Sequence, residues 1–284
     1  MLDFISQTVE NQPKIFGTLH FIILAIFVLL IVLICIFLRH TNEKQNKIIL
    51  LFFGLWLLFF EILKQVLLIY DQGNFKYDWQ HLPLQPCSAL MYTIILAGFL
   101  STNKKAKKFE QFLYAFIGIF GFFSGASAIV MPSSIFSTNY ILLLFQTSQH
   151  HMVLALLAVY LFVSGRVSPN FKNFLKSVAV FVFWCATAFI LNVVLFAITK
   201  NPEINLMYIG PYTIWSIPII SDFIKIDNPW AFIPFYIFIY SLACLLSMYV
   251  YLCVAKIVAY IHGKITKNKQ DVVKRMLEII KSDF

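Results

Sequence analysis

The chain has 284 residues, of which 60% are hydrophobic and 12% charged, about half the roughly 25% charged share of a soluble domain, and that balance excludes a soluble globular protein. A formal charge of +9 does not mark a nucleic-acid binder. The basic residues stand in short runs between apolar segments, where they orient a chain against anionic lipid.

In chain order, residues 1–16 carry Asp3 and Glu10 against Lys14, which is not the positive leader of a signal peptide, and are read as a short outer arm. Residues 17–38 are long enough to cross about 30 Å of hydrocarbon at about 1.5 Å per residue. Arg39, Lys44 and Lys47 follow. A second span, 48–70, is interrupted by Glu61, Lys64 and Gln65; Glu61 and Lys64 share a helix face, so an ion pair and a site role are both open. A third span near 84–101 contains Pro86 and Cys87, with proline tolerated in a first turn that needs no amide donor. Lys104, Lys105, Lys107 and Lys108 form the densest basic run between two spans. The fourth span, 109–130, carries Gly118, Gly121, Gly125 and Ala126, small residues that let helices approach closely.

The fifth span, 140–163, is apolar except for Gln146, Thr147, Ser148, Gln149, His150 and His151. A sixth, 177–199, contains Asn192. The longest connection, 200–229, carries Pro202, Tyr208, Pro211, Tyr212, Trp215 and Pro218 and reads either as a lid or as an aromatic belt at the interface. The seventh span, 230–260, is overlong and must tilt or emerge from the bilayer. The expected fold is therefore all-α, a polytopic bundle of seven transmembrane helices over residues 1–262, with an amphipathic cytosolic tail over 263–284. Lysine and arginine gather in alternate connections and in the tail, which places the amino terminus outside and the carboxyl terminus in the cytosol. Cys35, Cys87, Cys185, Cys244 and Cys253 show no C-x-x-C spacing, so neither a disulfide framework nor a zinc site is indicated, and four of them read as small core residues. No internal repeat suggests a transporter built from two halves.

Adjacent histidines at mid-membrane are costly, and ionisable groups at that depth usually face a bundle interior or a wet cavity. Two histidines satisfied by inter-helix hydrogen bonds would be purely structural. Helical spacing puts His150 on a face with Gln146 and His151 on a face with Thr147, so the two rings point in different directions. Depth counting places Glu61, His150 and His151 near the midplane, with Cys87 and Asn192 in the outer half. It also separates Cys87 from His150 by about 8 Å, so the third span must start deeper or the fifth must protrude.

The run Pro83-Leu84-Gln85-Pro86-Cys87, the histidine site of the fifth span, Leu191-Asn192, Asn205-Leu206-Met207-Tyr208, and Ile219-Ile220-Ser221-Asp222 ahead of Pro229-Trp230 resemble the YwaF-type bacterial membrane family. That family is related to the animal transmembrane protein 164. The similarity runs from Glu61 to about Tyr236, with Gln85 where many members carry histidine and a stretched run from Asp222 to Trp230. The resemblance implies an acyltransferase of a bacterial plasma membrane, working on phospholipid and lysophospholipid. Its Pro-Cys match falls on Cys87 and its Gln-His match on Gln149 and His150, the implied catalytic pair being Cys87 and His150. Chemically, such a pair can form a thioester and pass its acyl chain to a lysolipid hydroxyl.

Around that pair, Glu61, His151, Gln149, Asn192, Asn205, Tyr208 and Asp222 are expected to support the site or bind substrate. Glu61 would orient the imidazole and Asn192 would donate to an oxyanion. No cofactor, metal, nucleic acid or protein partner is called for. The competing reading is a non-enzymatic carrier that binds a proton or small ligand at Glu61, His150 and His151. A metal-dependent hydrolase would need a third ligand at the depth of the histidines.

Overall fold

The computed structural model describes residues 7–9, 12–71, 77–100, 104–136, 138–214, 224 and 226–266. They form seven helices: α1 (Thr18–Phe37), α2 (Glu43–Asp71), α3 (Pro86–Phe99), α4 (Lys104–Val130), α5 (Ile141–Val163), α6 (Phe171–Thr199) and α7 (Pro229–Thr266). Single helical turns at Trp79–His81, Ser133–Phe136 and Leu206–Tyr208 lie in the connections. Among the described residues the only β pairing is an isolated bridge between Thr8 and Tyr140. It docks the residues before α1 on the loop before α5, helped by a bond from Gln12 Nε2 to the Thr138 carbonyl at 3.2 Å.

Six of these helices are long and apolar enough to cross a membrane, one fewer than the seven expected spans. The short one is α3, whose 14 residues rise only about 21 Å at about 1.5 Å each. Two prolines set its start. Leu82 and Gln85, each preceding a proline, are extended (φ −51°, ψ 128° and φ −87°, ψ 165°), because the ring of the following proline disfavours helical ψ in the residue before it. The helix therefore begins at Pro86, and the residues before it descend into the bundle without helical structure. At the other end of the chain, α7 runs past residue 262 to Thr266; the rest of the expected tail lies outside the described residues.

The axis of the bundle is α4. Its most apolar window is 67% buried against 11% for α1 and for α7, and it touches α1, α3, α5, α6 and α7. Small residues explain its tightest contact. A Cβ at Gly125 would stand 2.4 Å from the His151 carbonyl and 2.5 Å from the Ala155 nitrogen of α5, distances that only a glycine allows at this crossing. The α2–α3 contact is built the same way, with Gly54 against Ile95 and Gly98 against Leu51.

At the end of the bundle that carries the basic runs, α2, α4 and α5 share a buried polar chain that the sequence reading did not single out. Tyr160 Oη bonds Thr41 Oγ1 at 2.7 Å and donates to Asn46 Oδ1 at 3.0 Å. Asn46 Nδ2 donates to Tyr114 Oη at 2.6 Å, and that hydroxyl donates to Glu110 at 2.7 Å. Lys47 closes the chain by pairing with Glu110 and donating to the Ala97 carbonyl at 2.7 Å. Polar groups buried at membrane depth must be satisfied within the protein, and here they tie α2, α4 and α5 to one another and, through the Ala97 carbonyl, to α3. A second unforeseen anchor is His20, which takes the Phe16 amide on Nδ1 (3.0 Å) and gives Nε2–H to the Ile129 carbonyl (3.0 Å). That bond fastens the otherwise peripheral α1 to the end of α4.

Candidate functional site

The late start of α3 closes the depth gap between the cysteine and the histidine. His150 Nε2 lies 3.3 Å from the Cys87 carbonyl oxygen. A carbonyl can only accept, so Nε2 carries the proton and Nδ1 holds the lone pair. His150 is 3% exposed, and Nδ1 is buried with no hydrogen-bond partner among the described residues. A basic nitrogen is thus held open beside the first turn of α3.

Cys87 is the second residue of that helix. The first intrahelical acceptor of α3 serves Ala89, whose amide bonds the Gln85 carbonyl at 3.0 Å, so the amides of Cys87 and Ser88 precede the helical ladder. A helix amino terminus with unclaimed N–H groups favours negative charge developing near it. Ser88 carries no motif of its own, which is why the sequence did not point to it.

His151 turns the other way, as its spacing implied. Its Nδ1 donates to the Ser124 carbonyl of α4 at 3.1 Å, beside the close approach made at Gly125. The two imidazole rings are 5.9 Å apart and steeply inclined, at 62°. His151 and His150 therefore face different walls.

Glu61 touches neither histidine. It pairs with Lys64 at 2.8 Å and accepts from Gln65 Nε2 at 2.7 Å and from Gln146 Nε2 of α5 at 3.2 Å. Gln65 in turn reaches the His81 carbonyl at 3.0 Å and accepts from Tyr77 Oη at 2.8 Å. The carboxylate is 2% exposed and is compensated by one cation and two amides, as a buried charge must be. The ion pair foreseen from the i, i+3 spacing is present, and through Gln65 and Gln146 it locks α2 to α5 and to the descending loop ahead of Cys87.

Asn192 is likewise engaged. Its Nδ2 donates to the Leu206 carbonyl at 3.0 Å and its Oδ1 accepts the Leu206 amide at 2.8 Å. Asn205 closes the same loop, donating to the Thr213 carbonyl at 2.9 Å and accepting the Gly210 amide at 2.6 Å. These clamps hold Ile204, Leu206, Met207 and Ile209 almost fully buried, so this part of the long connection is inserted into the bundle. Met207 and Tyr208 both have left-handed φ, 53° and 61°. Two successive non-glycine residues there cost about 1–3 kcal/mol each and persist only where the surroundings over-determine them. The insertion puts the Tyr208 ring 6.4 Å from that of Tyr236.

Gln149 faces away from Cys87 and accepts from Trp56 Nε1 at 2.8 Å. Asp222 lies outside the described residues. Cys185 and Cys244 are buried core residues as expected, but Cys253 is exposed on the flank of α7. Among the described residues no three His, Cys, Asp or Glu side chains are grouped as a metal site would require.

A model of the TMEM164 family matches residues 15–252, a span that takes in all seven helices except the last turns of α7. No curated protein and no solved structure matches the chain.

Proposed function

We propose that this chain, which belongs to the TMEM164 family, is a membrane-embedded acyltransferase that moves a fatty acyl chain between phospholipid and lysophospholipid through Cys87 and His150. The observation that carries the reading is the open Nδ1 of a buried His150 whose other nitrogen is fixed on the Cys87 backbone. That bond selects the tautomer in which Nδ1 can accept a proton.

In the first step His150 takes the Cys87 thiol proton as the sulfur attacks the phospholipid ester carbonyl, and a C–S bond forms. The oxyanion develops beside the Cys87 and Ser88 amides. Collapse breaks the ester C–O bond, and the departing lysophospholipid oxygen takes its proton back from the imidazolium. In the second step a lysophospholipid hydroxyl gives its proton to His150 and attacks the thioester. A new C–O bond forms, the C–S bond breaks, and the proton returns to the sulfur. Asn192 has its carbonyl oxygen and an amide hydrogen committed to Leu206, so the amino terminus of α3 is the better source of oxyanion donors. Asn192, Asn205 and Tyr208 then act by shaping the wall that the inserted loop makes.

A carrier built on Glu61, His150 and His151 would need the three to converge on one ligand. Glu61 instead bonds Lys64, Gln65 and Gln146, and the histidines bond different helices. The test is non-additivity. Membranes holding matched amounts of protein are fed a labelled phospholipid donor and a lysophospholipid acceptor. Cys87→Ala and His150→Ala should each drop transfer to near background, and the double variant should fall no further, since residues acting as one unit do not multiply. Transfer that survives in Cys87→Ala would sink the thioester route.

A further inference from the structure

The non-helical stretch ahead of Cys87 has little of its own to hold it. Leu82 and Leu84 spend their amides on carbonyls of the same stretch, those of Trp79 and Leu82, at 3.1 and 2.7 Å, and Pro83 and Pro86 have no amide to give. Its backbone is nevertheless tied to neighbouring helices at both ends. His150 of α5 donates to the Cys87 carbonyl at 3.3 Å, and Gln65 of α2 donates to the His81 carbonyl at 3.0 Å.

Both ties lead to α5. Gln65 Nε2 gives its other hydrogen to Glu61 Oε1 at 2.7 Å, and Glu61 Oε2 accepts from Gln146 Nε2 at 3.2 Å. Gln146 and His150 stand one turn apart on one face of α5. The stretch is thus held at Cys87 by His150 directly, and at His81 by Gln146 through Glu61 and Gln65. The Gln65 amide has one orientation, because the carboxylate and the carbonyl only accept, so Nε2 faces them and Oε1 accepts from Tyr77 Oη at 2.8 Å. No other side chain of this length supplies two donors and an acceptor. Glutamate lacks the hydrogens and would set a second carboxylate against Glu61, methionine has neither donor, and lysine has nothing to accept the phenol.

We infer that Gln65 is a positioning residue, acting through the backbone ahead of Cys87 to set where the first turn of α3 sits against the His150 imidazole. For its effect on turnover the inference rests on the acyl transfer proposed above; the tie itself is a property of the fold. Without Gln65 the hold on Cys87 falls to His150, the ring that must also act as the base. A reacting atom displaced by about 1 Å costs about 10²-fold in rate, so a side chain that bonds neither Cys87 nor His150 governs the chemical step.

The test compares full-length wild type with Gln65→Met, of like length without donors, in mixed micelles of detergent and labelled phospholipid. Gln65→Met should lose about 10²-fold in kcat with KM for phospholipid unchanged, and a peptide spanning 82–89 should take up deuterium several-fold faster than in wild type. Gln65→Asn, one methylene too short to reach both acceptors, should shift both readouts the same way and decides the matter where the methionine variant fails to accumulate. Tyr160→Phe, which loses the bonds to Thr41 and Asn46 at the far end of α5, should lower the unfolding midpoint and keep kcat, which separates lost stability from lost positioning. An unchanged kcat in Gln65→Met, a raised KM at constant kcat, or an equal loss of kcat in Tyr160→Phe would overturn the assignment. Were wild type itself to transfer nothing, the acyl-transfer reading would fall, and deuterium uptake over 82–89 would still decide the tie: faster in Gln65→Met upholds it, unchanged overturns it.

Discussion

At the scale of single residues, the contact between His150 and the Cys87 carbonyl does two things that substitution can separate. It holds the first turn of α3 against α5, and it leaves Nδ1 as a base. A glutamine at position 150 can still donate an amide hydrogen to that carbonyl but cannot accept a catalytic proton. His150→Gln should therefore accumulate and unfold like wild type while losing about 10²–10⁴-fold in transfer, the range that proton transfer contributes; thermal unfolding and the labelled-lipid assay on one preparation check both halves. His151→Gln, which can likewise donate to the Ser124 carbonyl, should retain transfer. Loss of transfer in His151→Gln alone would move the base to the neighbouring residue. The sequence already placed the two rings on different walls, because helical periodicity fixes directions. It did not disclose that Glu61 binds Gln146 of α5, since that contact depends on which helices become neighbours.

At the scale of elements, the consequential feature is the shortness of α3. Hydropathy alone draws 84–101 as a full span, because Leu84 and Leu100 extend the apolar window beyond both ends of the helix. Backbone chemistry overrides that reading: two prolines hold their preceding residues extended and bring Cys87 down to the level of His150. The inserted loop at Leu206–Tyr208 was equally hidden, as two left-handed non-glycine residues leave no compositional trace. The glycines of α4, by contrast, were legible as packing residues, and the structure gives them a partner. Gly125→Val forces side-chain atoms into the α5 backbone and should destabilise the protein by at least the roughly 1–3 kcal/mol typical of overpacking, whereas Gly165→Ala, where no atom lies within 4 Å, carries only the strain of φ +71°. Comparing denaturation midpoints of the two variants in one detergent tests the ordering, and a milder effect at Gly125 would refute the close α4–α5 crossing.

At the scale of the whole molecule, composition and span lengths made the membrane class and the all-helical bundle legible, while the buried chain from Thr41 to Lys47 was not, because its members are ordinary polar residues until tertiary packing joins them. Orientation is a proposal carried by charge placement: the end bearing Arg39, Lys107 and Arg166 is taken as cytosolic. In a cysteine-free background, Lys108→Cys should react with a membrane-impermeant maleimide only from the cytosolic side and Glu203→Cys only from outside; the reverse pattern would invert the molecule. The most direct measurement of the central claim is acid quenching of the purified protein during turnover with a labelled phospholipid, followed by mass spectrometry of the peptide containing Cys87. The account predicts an acyl adduct on Cys87 that hydroxylamine removes and that is absent from Cys87→Ala. An acyl adduct on another residue, or steady transfer by Cys87→Ala with no thioester formed, would contradict it.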